Sequence, residues 1–331
     1  MFRFLRGRKP AAPLPVSEVP ALLEETPPVA PLSSSSVLVE DTFAEAFPMS
    51  ATALIVTADS MKWAMEAATI ATGFATSVIG CGAEAGVDRQ LGPSETPDGR
   101  PGARILIFSF SPAELQKQVD NRAGQCILTC PGTACFAGME PTATKIDLGA
   151  NMRYFGDGFQ SSKVIGGRRF WRIPVMDGEF LCEDVTYATT EAVGGGNLIL
   201  LGATRDIVLR AAETAAGVIR QVPGVIVPFP GGIARSGSKV GSRYKSMMAS
   251  TNEAFAPTLR ARAATDLIEG EGAVLEIVID GLTAESVATA MREGLRALRE
   301  SDEGTLLNRI TAGNYGGKLG PHHYHLKELA A

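Results

Sequence analysis

From Leu54 onward, short apolar runs alternate with stretches of helical periodicity, and their order predicts most of the chain's elements. Leu54–Thr57 reads as a strand. Asp59 stands where it can cap a helix running to about Ala71, with Thr72-Gly73 as its end. Thr76–Ile79 reads as a second strand, Arg104–Phe108 as a third and Cys126–Thr129 as a fourth. Turn chemistry at Pro97-Asp98-Gly99-Arg100-Pro101-Gly102 precedes the third. Ser111-Pro112-Ala113-Glu114 is a capping box with proline at the first helical position, opening a helix that runs to about Ala123 and stops at Gly124. The order β-α-β-β-α-β is that of a ferredoxin-like unit.

Residues 152–190 predict an antiparallel ribbon, with a turn at Phe155-Gly156-Asp157-Gly158 and strands Phe170–Val175 and Glu179–Val185 around Met176-Asp177-Gly178. The first scheme then repeats. Asn197–Leu201 is a strand, and Thr204 caps a helix with Val208, Ala211, Ala215, Val218 and Val222 at helical spacing. Val225–Val227 and Ala273–Asp280 are strands, Thr283 caps a helix carrying Val287, Met291, Leu295 and Leu298, and Leu306–Thr311 closes the unit. Two such units predict an α+β fold of two ferredoxin-like α/β sandwich lobes related by duplication, with an inserted β-ribbon. The expected lobes are residues 37–172 and 173–331. Their residue identity is poor, so the duplication rests on element order. Residues 1–36 hold seven of the 20 prolines and the run Ser33–Ser36, and they read as a disordered tail. Arg3, Arg6, Arg8 and Lys9 resemble the start of a signal peptide, but no apolar run follows.

Composition narrows the function. The 331 residues carry 31 Lys+Arg against 36 Asp+Glu, a net charge of -5, and 6% aromatics. That balance lacks the basic face a nucleic acid needs, and there are too few rings for a base-stacking platform. No apolar run reaches the length of a membrane span. The five cysteines, Cys81, Cys126, Cys130, Cys135 and Cys182, form no C-x-x-C pair, which points away from a disulfide framework or zinc ribbon and toward the cytoplasm.

Candidate chemistry lies in several places. Pro228–Asn252 is rich in glycine and serine, bears Lys239, Arg243 and Lys245, and follows neither periodicity. It is either a surface loop or a binding surface in which glycines let backbone amides approach a ligand. No helix starts where a dinucleotide or Walker motif requires one. His322, His323 and His325 form a His-His-x-His cluster on a terminal alternating segment, open to readings as a metal site or a surface strand. Cys126, Cys130 and Cys135 read as small buried apolar residues or as a nucleophile lacking an evident base. Glu276 interrupts the apolar strand Ala273–Asp280, pointing with Val274, Val278 and Asp280. On a covered face its pKa rises, and a neutral acid there can protonate or hydrogen-bond a developing oxyanion. On an edge strand it is merely solvated or ion-paired.

The chain resembles the formylmethanofuran:tetrahydromethanopterin formyltransferases. In its first half the resemblance is carried by Glu40-Asp41-Thr42-Phe43-Ala44-Glu45-Ala46-Phe47, Lys62-Trp63-Ala64-Met65, Thr72-Gly73-Phe74, Glu84-Ala85-Gly86, Glu95–Gly102 and Phe155–Gly158. Gly195-Gly196-Asn197, Pro228–Ile233, Ser238–Ser242, Ala249–Asn252, Glu276 and Ala312–Gly320 carry it through the second. These stretches run in order from about residue 38 to the C-terminus. The tail before them departs from the archaeal pattern, and of the histidines only His325 matches. The resemblance implies reversible formyl transfer between the amine of methanofuran, or a related furan coenzyme, and N5 of tetrahydromethanopterin. Both coenzymes are then co-substrates, with no prosthetic group and no metal. It implies that Glu276 is the catalytic glutamate, and Phe229, Pro230, Gly231, Gly232, Ser236, Ser238, Lys239, Thr251 and Asn252 become candidates for holding the coenzymes. It also implies a homo-oligomer, or the formyltransferase subunit of a bacterial complex with a formyl hydrolase. A non-catalytic scaffold that binds coenzyme for such a hydrolase is the competing reading, and a sensor that binds the pterin without turnover is a third.

Overall fold

Three helices begin where side-chain caps place them, which fixes the frame of both halves. The Ser111 hydroxyl accepts from the Glu114 amide at 3.3 Å, opening α2 (Pro112–Arg122). Thr204 accepts from Ile207 and opens α3 (Arg205–Ile219). Thr283 and Ser286 bond reciprocally at the start of α4 (Ala284–Glu300). Each such cap satisfies a helix-end amide and is worth about 1 kcal/mol. These features come from a computed structural model that describes residues 37–237, 239–318 and 320–331. The tail expected over residues 1–36 lies outside them.

The first half runs β1 (Phe43–Thr57), α1 (Met61–Thr72), β2 (Glu84–Leu91), β3 (Gly102–Ser109), α2 and β4 (Ala134–Ala137). Its sheet order is β2-β3-β1-β4, all antiparallel. Next come the ribbon strands β5 (Ser161–Ile165), β6 (Arg168–Val175) and β7 (Gly178–Glu183). This ribbon joins the sheet edge through parallel pairing of β7 with β4. The second half comprises β8 (Val185–Gly202), α3, β9 (Val225–Ile226), β10 (Ala273–Gly281), α4 and β11 (Arg309–Thr311). Its order, β9-β10-β8-β11, repeats that of the first half. A last strand, β12 (His322–His325), pairs with the start of β1. The expected α+β duplication with an inserted ribbon is therefore the observed architecture.

Two expected strands are displaced. Thr76–Ile79 holds only an isolated bridge from Thr76 to Glu84, then the helical turn Val78–Cys81. The Glu84 carboxyl accepts the Val78 amide at 3.1 Å and stabilises that turn, while the strand itself forms at β2. Cys126–Thr129 is not extended either. The chain passes Gly124 in a π-helical turn, Ala123–Ile127, and Thr133 then donates to the carbonyls of Ile127 at 2.6 Å and Cys130 at 3.0 Å. Strand β4 follows. Asp59 does not cap α1. It pairs instead with Arg100 at 3.0 Å.

Helices cover one face of each sheet. In the first half Ala67, Ala68 and Ala71 of α1, with Leu115 and Val119 of α2, pack on Leu54, Val56, Ile105 and Ile107. In the second, α3 and α4 pack on Leu198, Leu200, Ile277 and Ile279. Burying one such side chain contributes about 1.5–3 kcal/mol. The opposite faces of the two sheets meet each other. Met49, Ala51, Ala53, Leu106, Phe108, Ala192 and Ile226 form the core between them. The two long strands also pair directly, β1 against β8, from Thr52↔Ala188 to Phe47↔Gly194 with one register shift. Both sheets are thus parts of one hydrogen-bonded surface.

Candidate active site

Glu276 sits at the middle of β10, opposite Ile199 of β8, and Ile199 in turn faces Thr311 of β11. As the strand alternation requires, it lies on the face away from α3 and α4. That face is covered by loops rather than helices. The segment after β9 returns to bond β10 at one point, with the Ala234 amide donating to the Glu276 carbonyl at 2.7 Å and the Glu276 amide donating to the Ala234 carbonyl at 3.0 Å. Phe255 and Leu267 of the next loop pack on Ile199, Leu201 and Val274. Between these loops lies an open cavity of about 930 Å³ with Glu276 in its lining.

Among the described residues the Glu276 carboxyl has no hydrogen-bond or ion-pair partner, and desolvation alone raises its pKa to about 7. A carboxylic acid so placed is half ionised near neutrality, and it can serve as proton donor in one form and acceptor in the other. Tyr315 lines the same cavity. Its phenol is pushed above the usual range by burial, with the charges of Glu276 and Glu45 adding to the effect.

The structure brings Ser236, Lys239, Thr251 and Asn252 to the cavity beside Glu276. Lys239 ion-pairs with Glu253 and starts a small hairpin, Lys239–Val240 against Ala249–Ser250, so the loop is partly ordered as strand. Phe229, Pro230, Gly231 and Gly232 stand elsewhere. Pro230–Gly232 is a single 3₁₀ turn in which Gly232 adopts φ +78° and a side chain there would strike Val227 and Ala216. That turn seats the loop on α3 and does not line the cavity. Ser238 lies outside the described residues.

Several cavity residues are not among the expected candidates. Thr42, Asn314 and Tyr315 come from the two ends of the chain, and Glu40 and Arg309 lie beneath them. Arg309 is a buried hub. It donates from Nε to Glu271 at 2.6 Å, from Nη2 to Glu271 at 3.1 Å and to the Asp266 carbonyl at 2.7 Å, and from Nη1 to Glu40. This network ties the cavity floor to the loop that covers β10. Thr42 and Asn314 belong to the stretches on which the family resemblance rests, so that signal already marked them.

A second acid of β10, Asp280, faces the seam between the sheets. Its Oδ1 accepts the Gly195 amide at 3.1 Å, while its buried Oδ2 receives no donor. The neighbouring group is Glu84 of β2. Burial, and then the Glu84 charge, hold the Asp280 carboxyl well above the ordinary carboxylate range, so the proton it keeps is shared with Glu84. The histidines His322, His323 and His325 lie on β12, two of them stacking on Phe43. Among the described residues no group of three or more His, Cys, Asp or Glu is arranged to hold a metal ion.

A duplicated α+β fold, with an isolated acid on the loop-covered face of its second sheet, defines a class of two-lobed enzyme. The chain belongs to the formylmethanofuran-tetrahydromethanopterin formyltransferase family: that family's model matches residues 32–175, and its proximal-lobe model matches 178–329. It is 60% identical over 300 residues, 89% of this chain and 96% of the relative, to a component of the formyltransferase/hydrolase complex of Methylorubrum extorquens. A formylmethanofuran–tetrahydromethanopterin formyltransferase of Methylococcus capsulatus is 55% identical over 90% of this chain and 99% of its own. The crystal structure of the Methylorubrum extorquens complex with methylofuran contains a chain matching with TM-score 0.86, covering 89% of this chain and 97% of that one at 60% identity. The Methanosarcina barkeri formyltransferase matches with TM-score 0.82 at 44% identity, covering 88% and 98%. No helix among the described residues is long and apolar enough to cross a membrane.

Proposed function

We propose that the protein transfers a formyl group between the amine of methanofuran, or a related furan coenzyme, and N5 of tetrahydromethanopterin, with Glu276 as its acid–base residue. The observation that carries this reading is a carboxyl with no partner among the described residues, its pKa raised to about 7, in the lining of a cavity of about 930 Å³. Attack by the acceptor nitrogen on the formyl carbon makes the new C–N bond and turns the carbonyl oxygen into an oxyanion. Ionised Glu276 takes the proton of the attacking nitrogen. The neutral acid so formed donates a hydrogen bond to the oxyanion and then gives that proton to the leaving nitrogen as the carbonyl re-forms and the old C–N bond breaks. The exchange changes no oxidation state, and each coenzyme enters it as a co-substrate. Ser236, Thr251, Asn252, Asn314 and Lys239 supply polar groups around the reacting centre, and Ser238 remains a candidate beside them.

The names of the relatives support this reading, and the two family matches support two lobes divided near residue 173. We place the protein in the cytoplasm, in keeping with five unpaired cysteines. The test is formyl transfer by the purified chain from the formylated furan coenzyme to tetrahydromethanopterin. Wild type should turn over and Glu276→Gln should bind both coenzymes yet lose most turnover. An active Gln variant removes Glu276 from the mechanism.

The relationship to a component of a formyltransferase/hydrolase complex favours a further element: an oligomer that hands its product to a hydrolase partner. Purification of the native protein should then yield hydrolase subunits at constant ratio. A chain that binds coenzyme, turns over nothing alone and nothing in the complex would instead be a scaffold.

A further inference from the structure

Glu45 is fully buried near the start of β1, and its carboxylate gathers one loop around itself. Oε2 accepts the amides of Tyr315 at 2.7 Å and Gly317 at 2.9 Å, and Oε1 accepts that of Gly320 at 2.7 Å. Its own amide donates to the Gly313 carbonyl at 3.2 Å. Asn197 holds the loop's first residue, with Oδ1 accepting the Gly313 amide at 2.6 Å. Asn314 donates to the Thr42 hydroxyl at 3.2 Å. The loop has glycine at 313, 316, 317 and 320, so it loses much chain entropy on ordering. Gly320 is also sterically required, since a Cβ there would lie 2.2 Å from the Ala46 carbonyl oxygen. A carboxylate gathering these amides offsets part of that entropy. The charge itself lies outside the cavity lining.

The loop so gathered is the one that carries Asn314 and Tyr315 into the cavity wall, and Tyr315 stands within electrostatic reach of Glu276. The Tyr315 ring leans on Phe47, 6.0 Å between centroids. We propose that Glu45 is a positioning residue of the transfer reaction: it fixes the 313–320 loop so that Tyr315 walls off Glu276 from bulk water. This inference rests on the function proposed above. Glu45 does not line the cavity, and its effect reaches the chemistry through Tyr315 and then through the solvation of Glu276. The other ionisable groups lining the cavity, Glu40, Arg235, Lys239, Asp266 and Arg309, stand on segments other than this loop.

Glu45→Gln tests the idea, because an amide offers one acceptor and one donor where the carboxylate offers two acceptors, and the donor must face an amide N–H. The readout is the titration of Glu276 itself, followed by infrared difference spectroscopy as the carboxyl band that Glu276→Gln abolishes. In wild type its midpoint should lie near 7. In Glu45→Gln it should fall by at least one pH unit, and kcat should drop at least tenfold with KM changing less. Tyr315→Ala, which keeps every backbone anchor, should reproduce the shift and so serves if the Gln variant does not fold. A folded variant of either kind with an unmoved midpoint and kcat within twofold of wild type overturns the proposal. If wild type transfers no formyl group, the proposed function falls while the titration still decides whether Glu45 governs Glu276.

Discussion

Glu276 is stabilised in the form that water least favours, and this has a measurable consequence for folding. A rise from the ordinary 4.5 to about 7 corresponds to at most about 3 kcal/mol between the two protonation states. Because the folded-state value is the higher one, the contribution is whole below about pH 4.5 and is lost as pH climbs toward 7. Glutamine cannot ionise. Denaturant unfolding should therefore find Glu276→Gln no more stable than wild type near pH 4 and more stable by up to about 3 kcal/mol above pH 7. Its kcat should fall by about 10²–10⁴. A stability difference that ignores pH would mean the carboxyl is well solvated. The residue was legible in advance because an acid inside an apolar strand has few explanations. Glu45 and Asn197 fall in stretches that carry the family resemblance, but their roles were not legible, since their partners are backbone amides 270 and 116 residues away in sequence.

At the scale of elements, helices were easier to read than strands. Ser111, Thr204 and Thr283 announce their helices through a local bond three residues on, which needs nothing from the rest of the chain. Strand β2 hid because Glu84, Asp88 and Arg89 break its apolar pattern. Two of those take partners that the local pattern does not show: Asp88 takes Arg104 of the next strand at 2.6 Å and the Gly224 amide at 2.7 Å, and Glu84 takes Asp280 besides the Val78 amide. Strands β1 and β8 exceed their predicted lengths because their extensions are alanine- and glycine-rich, as at Ala51, Ala53, Gly194 and Gly196, residues with little strand preference of their own. Close packing between the sheets selects them. The loop over β10 depends on Arg309 in the same non-local way. Arg309→Met strands the buried Glu271 charge and should cost about 3–5 kcal/mol in urea unfolding. Adding Glu271→Leu should recover part of that loss, and a double variant worse than the single would refute the pairing.

For the whole molecule, the protonated Asp280 bridging to Glu84 joins the two sheets at their seam. Burial raises both acids, so here too the contribution is intact at low pH and declines as pH rises from about 4 toward their elevated values. Asp280→Asn keeps an acceptor for Gly195 and a donor for Glu84 without a titrating proton. Its melting temperature should match wild type near pH 4 and exceed it increasingly at higher pH, and a parallel pH dependence in both proteins would exclude the shared proton.

The direct pairing of β1 with β8 also constrains how large coenzymes get in and out. Two halves stitched along adjacent ribbons cannot swing apart like a clamshell without breaking several main-chain bonds at once. The approach left to them is the cavity's own rim, at Lys239, Thr251 and Asn252 on one side and Gly313, Asn314 and Tyr315 on the other. Turnover should consequently respond to viscosity and to crosslinks across that rim, and stay indifferent to a tether between the helical backs of the two halves.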